Sequence, residues 1–131
     1  MYLLDTNACI GLLNKTSPGL VTQLHRREPQ EIHLSSVVKA ELLYGAWHST
    51  RIKENLRVLA DFFRPFTSLP FDDSSAEHYG QIRSALTQAG TLIGSNDLLI
   101  AATARAHGLV LVTHNVSEFS RVPDLQIEDW E

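Results

Sequence analysis

Three acidic residues occupy places where a folded chain does not ordinarily leave a charge. Glu41 interrupts the run Val37-Val38-Lys39-Ala40-Glu41-Leu42-Leu43-Tyr44, and on a helix it shares a face with Val37, Val38, Tyr44 and Gly45. An acid on an apolar face is costly unless it is paired or holds a cation. The choice for Glu41 is therefore a buried ion pair with an arginine or a ligand role. Asp97 shares a helical stripe with Ile93, Ile100, Ala101 and Ala104. In a first turn it would complement the helix dipole for ~0.3–1 kcal/mol, yet the stripe should face a sheet rather than water. Asp5 ends the apolar Tyr2-Leu3-Leu4 and precedes Thr6-Asn7; alone it could simply cap the next helix.

Carboxylates gathered without Cys or His ligands suit a hard cation, Mg²⁺ or Mn²⁺. Such a site can activate water and neutralise charge on a phosphodiester under attack, provided the acids converge. Asn115 follows the apolar run Leu109–Thr113 and belongs to the same end of the molecule. The six histidines show no metal-ligand spacing. His25, His33, His48, His78 and His107 read as surface residues or helix-end caps, and His114 alone lies beside the proposed site, where it could touch a substrate. Cys9, among Ile10, Leu12 and Leu13, reads as a small core residue. As the single cysteine it allows neither an internal disulfide nor a thiolate-rich zinc site, which fits a reducing, cytoplasmic setting. Gly90–Gly94 does not match a phosphate-binding loop.

The elements that must position these residues alternate. Tyr2–Leu4 reads as a strand, Asn7–Leu13 and Gly19–Arg27 as helices, and Glu31–Leu34 as a second strand. Ser35 or Ser36 can cap a helix over Val37–Trp47. Thr50–Phe63 carries Ile52, Leu56, Leu59, Phe62 and Phe63 at helical spacing and stops at Pro65. Phe66–Leu69 reads as a third strand and Ser74–Ala89 as a long helix ended by Gly90. Ser95 is expected to cap a helix over Asn96–Ala106, with Gly108 beyond it. Leu109–Thr113 is continuous, as in a strand buried on both faces, and Leu125–Ile127 is a last edge strand. Alternation of this kind implies an α/β/α sandwich around a mainly parallel sheet, whose ligands bind at the carboxyl ends of the strands.

The chain has 131 residues, 44% of them apolar, and a formal net charge of −4. That suits one domain with a sizeable core, residues 1–131 as a unit, and argues against strong non-specific nucleic-acid binding. Up to Arg64 there are 8 basic and 6 acidic residues, and beyond it 3 and 9, which hints that the first half carries an RNA-facing side. Met1–Asp5 reaches an acid without a basic segment, so no signal peptide is expected. Leu98–Ala102 and Leu109–Val112 fall far short of the ~20 apolar residues that span a bilayer.

The motifs also resemble a known family. Leu4-Asp5-Thr6-Asn7 is similar to the first signature of PIN domains. Ser35-Ser36-Val37-Val38-Lys39-Ala40-Glu41-Leu42-Leu43-Tyr44-Gly45 is similar to the second, and Ile93-Gly94-Ser95-Asn96-Asp97-Leu98-Leu99-Ile100-Ala101-Ala102 to the third. Leu109-Val110-Leu111-Val112-Thr113-His114-Asn115, followed by Glu118-Phe119, resembles the fourth. The ending from Val122-Pro123 to Ile127-Glu128-Asp129-Trp130 resembles the VapC branch. The resemblance implies a Mg²⁺- or Mn²⁺-dependent endoribonuclease, the toxin of a toxin–antitoxin pair, with Asp5, Glu41 and Asp97 as catalytic metal ligands. It implies a homodimer, inhibition by a cognate VapB-type antitoxin, contact with operator DNA only through that antitoxin, and RNA such as tRNA as substrate. Thr6, Asn115 and Glu118 are supporting residues. Asn115 stands where many members carry a fourth acid, and Glu118 is a substitute for it. Leu42, Leu43 and Trp47 are more apolar residues than one sheet-facing side needs. They suit packing between helices, a dimer contact, or a groove for the antitoxin's tail.

Other chemistries fit less well. A phosphotransferase of the haloacid-dehalogenase kind using Asp5 needs an acid where Asn7 stands, and a receiver-like phosphate-binding module needs a late lysine, whereas none follows Lys53. A PIN domain that only binds partners has no need of an intact triad.

Overall fold

Leu3, Leu4, Ile32, Leu34, Leu111 and Val112 are each at most 1% exposed. Apolar residues on both alternating faces mark strands covered from both sides. The computed structural model describes residues 1–131 and places them in a five-stranded sheet. In chain order the elements are β1 (Tyr2–Leu4), α1 (Thr6–Asn14), α2 (Pro18–His25), β2 (Ile32–Ser35), α3 (Ser36–Trp47), α4 (Ile52–Phe63), β3 (Thr67–Leu69), α5 (Asp73–Ala89), α6 (Ser95–Ala106), β4 (Val110–Val112), α7 (Val116–Phe119) and β5 (Ile127–Glu128). The strand order is β3-β2-β1-β4-β5, and every pair is parallel.

This order creates a switch point. From the central β1 the chain builds outward through β2 and β3, then returns to build β4 and β5 on the other side. Connections leave the sheet in opposite directions there, opening a crevice at the strands' carboxyl ends. Asp5 and Thr113 follow directly on strands at that edge, and Ser35 is the last residue of another.

Local chemistry explains most boundaries. Ser35 accepts the Val38 amide at 3.1 Å and Asp72 the Ser75 amide at 2.9 Å, so α3 and α5 start on side-chain caps. Gly90 ends α5 at φ 69°, a left-handed conformation open to glycine. Helix α6 is buried almost all round, with Leu98, Ile100, Ala101, Ala102, Thr103 and Ala104 at most 2% exposed. Its alanines let α5 and the sheet approach closely, and the Thr103 hydroxyl is satisfied by donating to Leu99 O at 2.9 Å.

Several boundaries differ from expectation. Gly94, not Ser95, is the N-cap of α6 and gives it no side-chain cap. Helix α4 begins at Ile52 rather than Thr50, and the short α7 was not foreseen. A 3-10 turn at Pro29–Glu31 delays β2 by one residue. The last strand lies at Ile127–Glu128, one to two residues beyond the expected Leu125–Ile127. The sequence signals there are short and depend on distant partners.

Two glycines inside helices make opposite predictions. Alanine is the better helix former by roughly 0.8–1 kcal/mol. At Gly80, with nothing within 4 Å of an added methyl, alanine should stabilise by about that amount. At Gly19 the methyl would lie 2.5 Å from the Trp130 carbonyl oxygen, so the same change should cost on the order of 1–3 kcal/mol. Urea unfolding of Gly80→Ala and Gly19→Ala checks the reversal of sign.

Candidate active site

Asp5 leaves β1 and turns into α1. Its Oδ1 accepts the Ala8 amide at 2.8 Å, as a helix cap should, and it takes a further hydrogen bond from the Thr113 side chain at the end of β4. Both bonds favour the charged form. Burial nevertheless wins: Asp5 is 4% exposed, and desolvation, helped by the charges of Glu131 and Glu41, holds its pKa above the ordinary carboxylate value.

Asp97 is the third residue of α6, where the helix dipole alone would lower its pKa. The opposite is found. Burial, the neighbouring Glu118 carboxylate, and then Asp5 and Glu41 push it up to about 6. Burial contributes most to the rise, and the like charges beside it add to it.

Glu41 lies in the second turn of α3, half-buried. No Lys, Arg or His stands within 4 Å of Asp5, Glu41, Asp97 or Glu118, so the ion-pair alternative for Glu41 is not realised. Glu118, on α7, ties the crevice together. Its Oε1 accepts the Gly94 amide at 2.8 Å, its other oxygen accepts the Asn115 amide nitrogen, and its charge helps raise the Asp97 pKa. The Gly94 amide is the first cause of its lowered pKa. Asn115 thus reaches the site through Glu118 rather than standing alone as a fourth ligand. Thr6 opens α1, and its hydroxyl oxygen is buried without a protein partner.

The acids face one another without closing into a contact-tight set. The one group of three such ligand atoms all within 4.8 Å of each other is His114, Asp129 and Glu131. An all-oxygen donor set with open spacing fits Mg²⁺ or Mn²⁺, which keep several water ligands. The unpartnered Thr6 hydroxyl and the raised Asp97 pKa are what a site shaped for a cation leaves behind. Thr113, which bonds Asp5 and accepts the Asn115 amide at 3.0 Å, was missed from sequence although it sits in the fourth motif. The tail residues Asp129 and Glu131 carried no local signal.

Most of the remaining residues behave as expected, but His33, read as a surface residue or helix-end cap, lies half-buried within β2 with its Nδ1 3.3 Å from the Tyr2 carbonyl oxygen. Cys9 is fully buried, and desolvation raises its thiol pKa. His48 and His107 are the C-caps of α3 and α6, while His78 receives the Arg105 Nε–H at 2.9 Å. A cleft of about 740 Å³ runs from Thr6, Glu41 and Asn96 to Ile10, Tyr44 and Val58, between α1, α3 and α4.

Residues 2–125 match the PIN domain family. The chain is 39% identical to the tRNA(fMet)-specific endonuclease VapC of Salmonella typhimurium, covering 98% of this chain and 97% of that protein. It is 40% identical to ribonuclease VapC2 of Haemophilus influenzae, with the same coverage. A chain in the crystal structure of VapBC2 from Rickettsia felis bound to a promoter DNA fragment superposes with a TM-score of 0.93 at 37% identity, over 99% of this chain and 98% of that one.

The Asp97 shift has a measurable sign. Its folded pKa lies above the unfolded value, so ionisation opposes folding, and stability falls as pH rises from about 4 through about 6. Without divalent cations, Asp97→Asn should melt on the order of 3 °C higher than the parent at pH 7.5. The gap should close below pH 4, and Mg²⁺ should raise the melting temperature of the parent alone. Equal melting curves at pH 7.5 would remove Asp97 from the strained set.

Proposed function

The chain belongs to the PIN-domain family, and from that premise we propose that it is a VapC-type endoribonuclease, the toxin of a toxin–antitoxin pair. Residues 1–131 form its one catalytic domain, and Mg²⁺ or Mn²⁺ is its cofactor. The observation that carries the reading is the set of acids around Asp97, whose pKa burial and those neighbours raise to about 6, with no cationic side chain to balance them. Unpaired negative charge in a crevice is stabilised by a divalent cation.

Asp5, Glu41 and Asp97 hold that cation. When bound, it lowers the pKa of water and neutralises charge on the phosphodiester. Asp5 is oriented by the Ala8 amide and Thr113, so it meets the cation without rearranging. Glu118 fastens the loop before α6 through Gly94. The Thr6 hydroxyl is buried beside the site with no protein partner to occupy it. The substrate is RNA, and given the printed specificity of the Salmonella relative, initiator tRNA is the first to test.

The partner is a VapB-type antitoxin, with operator DNA met only through it, and the toxin acts as a homodimer. Leu42 is buried with the core at 8% exposure, whereas Tyr44 and Trp47 stand 68% and 63% exposed on the outer side of α3. Leu42, Tyr44 and Ala46 line a cleft whose other end touches Glu41 and Thr6, while Trp47 lies on the same helix outside that lining. An amphipathic tail laid in the cleft would reach the acids. No helix is long and apolar enough to cross a membrane.

Asp5→Asn, Glu41→Gln and Asp97→Asn should each reduce RNA cleavage and growth inhibition by at least a thousandfold while staying folded. Cys9→Ser should still cut. EDTA should abolish activity, and Mg²⁺ or Mn²⁺ should restore it. Products should carry 5′-phosphate and 3′-hydroxyl ends; cyclic 2′,3′-phosphates would refute the use of water. Any folded triad variant with full activity would lose its assigned role.

For the partner surface, Trp47→Ala and Tyr44→Ala should weaken antitoxin binding more than tenfold, as expected for aromatic anchors, yet leave cleavage intact. Calorimetric titration reads this directly, and unchanged affinity in both would move the antitoxin elsewhere.

A further inference from the structure

His114 lies beside the acids but outside them, and a distant segment is built against it. It follows Thr113, whose side chain bonds Asp5, and precedes Asn115. Its Nδ1 is 2.9 Å from Asp129 Oδ2 and 3.8 Å from Glu131 Oε2, while 68% of the side chain stays open to solvent. Nε2 has no protein partner.

The carboxylate side of this pair is firmly held. Trp130, between the two acids, is 5% exposed. Its ring meets Tyr2 edge-on at 5.1 Å, and the Arg27 guanidinium lies 4.4 Å from the Trp130 ring and 4.6 Å from that of Tyr2. The indole N–H donates to Glu128 at 2.9 Å. The Glu131 amide donates to Asp129 Oδ1 at 3.0 Å, which turns Oδ2 toward the histidine. A carboxylate on Nδ1 fixes the ring's tautomer and orientation and stabilises its charged form, leaving Nε2–H outward as a proton donor. The charged groups acting on the ring are Asp129, Glu131 and Asp5, and together they hold it protonated above the ordinary histidine range, the Asp129 hydrogen bond most of all.

We propose that His114 is the general acid of RNA cleavage, presenting Nε2–H to the 3′ oxygen as it leaves phosphorus, with Asp129 as its positioning residue. The proposal rests on the reading of this chain as a water-using ribonuclease. In the step, the water oxygen forms a new bond to phosphorus and the P–O3′ bond breaks. The freed electron pair on O3′ takes the proton from Nε2. The proton shed by the water passes to solvent, and solvent reprotonates the ring. The ends are a 5′-phosphate and a 3′-hydroxyl, so the atoms balance without another reactant. The acids cannot supply this proton while they serve as ligands, and the cationic side chains nearest in sequence, Arg105 and Arg121, stay protonated at working pH.

The test uses the full chain in Mn²⁺ and the RNA whose cut site has been mapped with the parent protein. On the natural linkage, His114→Ala and His114→Gln should lower kcat about a hundredfold, within the usual range for a lost general acid, with KM changed less than threefold. Imidazolium is the active form, so the parent's kcat should fall as pH rises through the histidine's raised pKa. That fall should vanish in both variants and move to lower pH in Asp129→Asn. On an RNA with sulfur in place of the scissile 3′ oxygen, whose leaving thiolate needs no proton, the variants should come within threefold of the parent. If the parent cuts but the variants cut equally well on the natural linkage, or stay equally slow on the sulfur linkage, His114 is not the acid. If the parent cuts no RNA, the ribonuclease reading falls and the proposal with it.

Discussion

Carboxylates held out of water without counter-charge set the terms for the rest of this molecule. Removing an ionised carboxylate from solvent costs several kcal/mol even after relaxation. The charge-assisted hydrogen bonds that Asp5 takes from Ala8 and Thr113 return about 1.5–3 kcal/mol each. They do not offset burial completely, since the pKa remains raised. The deficit is carried by the apolar core, a cluster of 25 buried residues from every large element. The short, doubly covered strands serve the same end: they place Asp5 and Thr113 side by side on a frame with almost no slack.

The fold was largely legible because its signals are local. Continuous apolar runs gave β1 and β4, helical spacing gave α3 to α6, and Gly90 announced the end of α5. That the sheet is parallel followed from alternation alone, while the strand order did not. The acids were legible for a different reason, as violations: Glu41 in an apolar run and Asp97 on a sheet-facing stripe contradict what surrounds them. Glu118 could be named as a substitute acid, but its grip on Gly94, 24 residues away, could not. The His114–Asp129 contact spans 15 residues and depends on Trp130 packing near residues 2, 19 and 27. Nothing in the residues from 127 to 131 records that arrangement, because its causes lie elsewhere in the chain.

Helix α3 faces two ways. Glu41 points its charge toward the crevice, while Tyr44, one turn on, stacks against His48 at 5.4 Å on the outside. Catalysis and the proposed control surface therefore share one rigid rod and one cleft. A tail seated along α3 need not deform the site to silence it; reaching the end near Thr6 and Asn96 is enough to obstruct the approach to the acids.

The pairing of β1 with both β2 and β4 bears on how such a chain is made. Tyr2 lies opposite Ile32 on one side and Val110 on the other. On the ribosome, β1 emerges first but gains its second neighbour only after most of the chain has followed, a wait of several seconds at about 5–20 residues per second. Until then Asp5 has neither the Thr113 hydroxyl nor Asp97 beside it. On the proposed reading the site stays incomplete until synthesis has passed β4, so cleavage is confined to chains that have closed around that strand.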